Sequence, residues 1–244
     1  MDKKTVAEAS LMCYDLSVMS NGKIYFIATP IGNLGDISER VKEVLLSVDL
    51  VVCEDTRVSG RLLKHLKLKK PLLSLHQHSD DGKINQIIHE TEIGKNVAYL
   101  SDCGTPGISD PGQKLAKVAR DLEVEIIPIP GASALTAAIS VSGLVKKEFY
   151  FAGFLPKKKG RETKLKFLAT LDCPIVIYES APRIERTLQD VKKFFGDDSE
   201  VFIAREMTKK FEEYWGGGIE SVINGIERHK IKGEFVLIVS RRVF

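Results

Sequence analysis

The sequence predicts an α/β protein built of two α/β halves, each with a mostly parallel or mixed sheet covered by helices. Three observations predict it. Short apolar runs alternate with amphipathic stretches of helical period from Lys23 to about Ser240. The apolar runs are continuous, the pattern of strands buried on both faces. Loops dense in glycine and proline follow the strand ends at 29–36, 101–112 and 129–134, and in open α/β sheets ligands bind at that edge.

The first 22 residues carry no clear period and end in the turn cluster Ser20-Asn21-Gly22. They read as an extension outside the catalytic fold, and Met19 stands where a start would suit it. KIYFIAT is the first strand, stopped by Pro30 and Gly32. Asp36 and Ser38 can cap a helix over ERVKEVLLS with Val41, Val44, Leu45 and Val48 on one face. DLVVCED is a strand, and RVSGRLLKHL a helix with Leu62, Leu63 and Leu66 inward. LLSLH, NVAYLSD and VEIIPI continue as strands; KINQIIHETEI, QKLAKVARDL and the small-residue stretch from Ala134 continue as helices. A break near 143–148 divides the chain into a first unit, 23–145, and a second, 146–244. The second unit alternates EFYFAGF, PIVIYES, EVFIARE and EFVLIVS as strands with KLKFLATL, RIERTLQDVKKFF and IESVINGIE as helices.

Composition narrows the class. The 244 residues carry 36 Lys+Arg and 33 Asp+Glu, a net charge of +3. With 43% hydrophobic and 28% charged residues the chain is an ordinary globular one. Its length buries enough surface to need neither disulfide nor metal. No apolar run approaches the roughly 20 residues of a membrane span. Glu8 and Asp15 interrupt any leader, so no signal peptide is read. Four scattered cysteines without a CxxC fit a reduced, cytoplasmic protein.

The chemistry lies in the loops. Neither GxGxxG nor GxxxxGK[ST] occurs. Ser101-Asp102-Cys103-Gly104-Thr105-Pro106-Gly107-Ile108-Ser109-Asp110-Pro111-Gly112 instead holds backbone rigid behind a strand, with two acids and several hydroxyls at hand. Pro111 can open the next helix. Ile129-Pro130-Gly131-Ala132-Ser133-Ala134 allows close approach through small residues. His76 and His78 alternate on one strand, but no further ligands stand at suitable spacing, so no metal is assigned. The segment Lys157-Lys158-Lys159-Gly160-Arg161, with Lys164, Lys166 and Glu162, concentrates positive charge in a chain otherwise near neutral. By itself such a cluster fits either a solvated surface loop or a phosphate-binding footprint. Tyr150 and Phe154 stand near it in sequence and can stack on a base.

ATPIGNLGDI, EDTR, SDCGTPGISDPG, IPGASAL, GFLPKKKGR, YESAPR, AREMTK and KGEFVLIV occur in this order. Together they resemble the ribosomal RNA small subunit methyltransferase I family, of the tetrapyrrole-methylase superfamily. The resemblance implies a homodimer of two-domain α/β subunits with S-adenosyl-L-methionine (SAM) in the cleft between the domains. It implies methylation of the ribose 2′-hydroxyl of a decoding-centre cytidine in 16S rRNA, within the small ribosomal subunit. The superfamily's cofactor loops fall on Pro30, Thr105, Pro106, Ile108, Ser133 and Ala134, with Tyr178, Met207 and Phe235 from the second domain. Gly104, in the same loop, joins the cofactor set because a bulky residue there would block it.

Methyl transfer to an alcohol is an in-line displacement that needs positioning and a base rather than a metal. The candidates for that base are Glu54, Asp55 and Lys209, with Glu179 and Glu206 also at strand ends. Lys157, Lys158, Lys159 and Arg161 are assigned to RNA. Two other functions compete: a precorrin-type methyltransferase, and a SAM-binding module without catalysis. The first expects a GxGPGD-type opening loop where this chain has ATPIGNLGD and leaves the basic loop without a purpose. The polar residues at several strand ends argue against the second.

Overall fold

The computed structural model describes residues 21–76 and 81–241. The opening extension therefore lies outside the described residues except for Asn21 and Gly22, as does His78. Gly22 is already packed, its N–H donating to the Thr91 carbonyl at 2.8 Å.

The first half alternates strand and helix without a break: β1 (Ile24–Ile27), α1 (Glu39–Ser47), β2 (Leu50–Cys53), α2 (Thr56–His65), β3 (Leu72–Ser74), α3 (Asp81–Glu92), β4 (Val97–Leu100), α4 (Gly112–Asp121), β5 (Ile126–Ile129) and α5 (Ala134–Ser142). All five strands are parallel, in the order β3-β2-β4-β1-β5. The chain leaves β1 towards β2 and later returns to β4, which pairs with β1. The carboxyl ends of β1 and β4 therefore face a point where the winding reverses, the place where such sheets bind ligands.

Local sequence accounts for the elements. Ser38 caps α1, its hydroxyl accepting from the Val41 N–H at 3.2 Å. Val41, Leu45 and Val48 face inward, and so do Leu62 and Leu63 of α2. Continuous apolar strands read correctly as two-sided burial, since all four residues of β4 are buried.

The second half holds β6 (Tyr150–Phe154), α6 (Arg161–Leu168), β7 (Ile175–Ser180), α7 (Ile184–Phe195), β8 (Ser199–Arg205), β9 (Glu213–Gly218), α8 (Ile219–Gly225) and β10 (Glu234–Arg241). Its sheet runs β6-β7-β10-β8-β9, parallel only between β6 and β7. Strand β9, Glu213–Gly218, was not expected. Three glycines end it and its residues are mostly half-exposed, so no apolar run marks it. It exists because β8 offers a free edge, with which it pairs from Glu200↔Gly218 to Arg205↔Glu213.

The two halves meet in one apolar cluster. Helix α5 packs on β8 and β10, and Ala138 joins Ile31, Val176, Ala204, Met207, Val236 and Ile238 in one apolar cluster. Burying a side chain such as Ile238 there contributes about 1.5–3 kcal/mol. This contact sets the β1 loop against the second sheet. At Gly32 a Cβ would stand 2.4 Å from Lys209 Cγ, so the two parts meet there without a side chain between them.

Candidate functional site

The carboxyl ends of β1, β4 and β5 are laced together by their own loops. Thr29 and Gly104 exchange backbone hydrogen bonds at 2.9 and 3.1 Å. The Thr29 hydroxyl donates to the Ser101 carbonyl, and the Ser101 hydroxyl to the Gly104 carbonyl. The Thr105 hydroxyl donates to the Ala132 carbonyl of the third loop at 3.2 Å. Asp110 braces the long loop from within, accepting from the N–H groups of Gly107 and Gly112 at 2.8 and 2.7 Å. It also accepts from the Tyr99 hydroxyl at 3.2 Å. Gly104 holds φ at +86°, a region that costs other residues about 1–2 kcal/mol.

These loops form one wall of a cleft of about 960 Å³, part of it open to solvent, and the second sheet forms the other. Ile31, Gly104, Thr105, Ile108, Ser133 and Ala134 face Tyr178, Met207, Phe235 and Val236 across it. Phe154 stands at the edge, 55% exposed, with its ring 5.7 Å from that of Tyr178. Burial pushes the Tyr178 phenol up to about 12. Ser109, Glu206 and Thr208 line or flank the cleft with positive φ although none is glycine. Such backbone strain concentrates at functional sites.

The polar lining is acidic. Glu54, Asp102, Asp110, Glu179, Glu206 and Glu234 line the cleft, and Lys209 is the single cation among the described lining residues. Glu54 is pushed up by burial and by the nearby Asp102 and Asp110 charges, against the hydrogen bond from the Asp102 N–H. Asp102 is likewise pushed up, by burial first. Lys209 is ion-paired to Glu206 at 2.6 Å and Glu234 at 3.0 Å. Burial would lower it, but those two hydrogen bonds carry it above the ordinary lysine value. Cys103, also in the lining, is exposed. An apolar floor with a carboxylate rim suits a ligand that has a flat apolar part and carries positive charge.

Among the expected residues, Gly104, Thr105, Ile108, Ser133, Ala134, Tyr178, Met207 and Phe235 come together here, with Glu54 and Lys209. Glu179 and Glu206 also line the cleft; the other expected residues are placed differently. Pro30 is half-buried behind Ile31 and does not reach the lining. Pro106 is buried and turns to a shallow groove behind the loop, beside Phe26 and Val124. Asp55 caps α2, accepting from the Arg57 N–H and pairing with its guanidinium at 2.6 Å. Those bonds hold Asp55 down to about 2, which makes it a weak base. Lys209, held protonated, is no base either.

Arg161 is 3% exposed, bonded to Asp190 at 2.8 Å, to the Thr187 hydroxyl at 2.8 Å and to the Pro156 carbonyl. It anchors the basic loop from inside, whereas Lys157, Lys158 and Lys159 are exposed. Glu179 is held in the same network by Thr187, Arg183 and the Ser180 N–H. Asp102 and Asp110 were noted only as the two acids of their loop, and Glu234 was given no role from sequence. The first two belong to a loop already marked by its composition; Glu234 opens a strand and carries no local signal.

The family of tetrapyrrole (corrin/porphyrin) methylases matches residues 23–223. Several proteins named ribosomal RNA small subunit methyltransferase I are similar over most of the chain. That of Synechocystis sp. is 42% identical over 90% of this chain and 79% of its own length. That of Haemophilus influenzae is 42% identical over 89% and 78%, and that of Thermotoga maritima 42% over 90% and 98%. Among solved structures, a cobalt precorrin-4 methyltransferase superposes with a TM-score of 0.66 at 17% identity, covering 89% of this chain and 94% of its own. A uroporphyrin-III C-methyltransferase from Thermus thermophilus gives 0.62 at 17% identity, over 90% and 94%. At that identity these two establish the fold alone.

Proposed function

The chain belongs to the ribosomal RNA small subunit methyltransferase I family within the tetrapyrrole methylases, and from that premise we propose that it methylates the ribose 2′-hydroxyl of a decoding-centre cytidine in 16S rRNA. Its donor is S-adenosylmethionine. Bound, that cofactor supplies an electrophilic methyl group on a positively charged sulfur. The residues present fit it: apolar Ile31, Tyr178 and Phe235 for its flat base, and an acidic rim for its positive charge.

The observation that carries the reading is the position of Glu54, a half-buried cleft carboxylate raised above its ordinary value by burial, beside the loops that would hold the donor. A ribose hydroxyl is a weak nucleophile, and a placed base adds about 10²–10⁴-fold. Glu54 takes the hydroxyl proton as the oxygen attacks. Asp102 keeps Glu54 in place through its N–H. Lys157, Lys158 and Lys159 hold phosphates of the substrate strand, and residues 23–145 and 146–244 act as the two domains of a cytoplasmic homodimer.

The test is transfer of labelled methyl from SAM to isolated small subunits and to free 16S rRNA, with the modified nucleotide mapped. Methyl on a base, or on no rRNA at all, overturns the reading. Sedimentation checks the dimer.

A further inference from the structure

Beside the cleft the chain displays an aromatic ring that nothing in the catalytic scheme uses. Residues 206–212 turn away from the wall at Lys209, closed by the Glu212 N–H donating to the Lys209 carbonyl at 3.1 Å. At the outer end of this turn Phe211 is 64% exposed. The ammonium groups of Lys210 and Lys230 lie 5.4 and 5.7 Å from its ring centroid.

The platform is rigid. Arg205 lies beneath it, 2% exposed, and its guanidinium donates to the carbonyls of Phe211 at 2.6 Å and Lys232 at 3.3 Å. It also pairs with Glu213 at 3.2 Å. One buried cation thus fixes two loops from below. Neighbouring acids are occupied: Glu212 accepts from the Thr208 N–H and the Tyr214 hydroxyl, and Glu213 faces Arg205. Lys210, Arg228, Lys230 and Lys232 make no ion pair among the described residues. An exposed ring on a fixed base, flanked by unpaired cations, matches what single-stranded nucleic acid requires: a face for stacking and charge for the backbone.

We propose that Phe211 is a second RNA contact, on which an unpaired base of the substrate stacks while Lys210 and Lys230 hold the adjoining phosphates. The proposal rests on the rRNA reading above and adds a surface to it. Because the turn begins at the cleft wall, this contact places nucleotides flanking the target rather than the target itself.

The experiment compares wild type, Phe211→Ala, Phe211→Trp and the double variant Lys210→Ala/Lys230→Ala. It measures affinity for 16S rRNA in a salt series, SAM affinity and sedimentation. Phe211→Ala should weaken RNA binding about five- to 150-fold, the range of one lost stack, with the salt dependence unchanged. Phe211→Trp should restore it. The double lysine variant should flatten the log–log salt slope by up to ~1.4. SAM affinity should not move in any of them. Wild-type RNA affinity in Phe211→Ala overturns the proposal and leaves the rRNA reading standing. A shift to monomers in Phe211→Ala overturns it in favour of contact between copies. Absence of RNA binding by wild type overturns both.

Discussion

The Asp102 backbone N–H donates to the Glu54 carboxylate at 3.3 Å, while the Asp102 carboxylate accepts from the N–H of Asp55, next after Glu54, at 3.0 Å. Two strand ends, β2 and β4, thus clasp each other through reciprocal bonds between a side chain and a backbone. The clasp holds two carboxylates in one half-buried place, where each raises the cost of ionising the other.

Glu54→Gln is expected to lower kcat about 10²–10⁴-fold with SAM affinity retained. In wild type the acid limb of the pH–rate profile should lie above the ordinary carboxylate value, because Glu54 must be ionised and is pushed up. The stability effect has the opposite sense. A carboxyl whose folded value is raised opposes folding once pH exceeds that value. The variant should therefore melt higher than wild type near neutral pH, and the gain should vanish as pH falls below the ordinary carboxylate range. Calorimetry across pH and rapid-quench kinetics read both; an unchanged kcat removes Glu54 from the chemistry.

Gly104 stands at φ +86°, and a Cβ there would meet Ile31 Cγ2 at 3.2 Å. Gly104→Ala should cost about 1–2 kcal/mol, or ~2–8 °C in Tm for a chain this size. It should weaken SAM binding as well, as the cradle role proposed for this loop requires. Titration calorimetry on the folded variant checks this. Unaltered SAM affinity would place the cofactor elsewhere.

Lys209→Met should destabilise at neutral pH by about 1 kcal/mol, ~2–4 °C. Burial raises Glu206, but the hydrogen bond from Lys209 carries it below its ordinary value. A lowered carboxylate stabilises the fold above its unfolded value and loses that contribution as pH falls through the folded one. The wild-type advantage should therefore fade on acidification. A difference in Tm that stays constant from neutral to acid pH would argue against the ion pair as its source.

The lysines of the basic loop and the arginine that ends it should behave differently. Replacing Lys157, Lys158 and Lys159 by Ala should flatten the salt slope of RNA binding by up to ~2–3 units and leave Tm unchanged. Arg161→Ala removes one partner of a buried pair and should cost about 3–5 kcal/mol. If thermal melting shows the two variants equally stable, the buried network has been overestimated.

The β–α order and the three site loops were legible in the sequence because each depends on neighbours within a few residues. Apolar runs mark β1, β4 and β7, Ser38 marks the start of α1, and proline with glycine marks the loop after β4. Strand β9 was not legible, since Glu213–Gly218 is a strand only because β8 has an edge to offer.

The roles of single charged residues were also decided by the fold. In the sequence Arg161 continues a run of lysines, and Asp55 is the twin of Glu54. Folding takes Arg161 inward to Asp190 and Thr187, and turns Asp55 to the start of α2. It brings Glu234, 180 residues after Glu54, to the other wall of the same cleft. Periodicity and turn chemistry are local and can be read from the chain alone. The protonation and partner of a charged group depend on what lies within a few ångströms, and only the tertiary structure decides that.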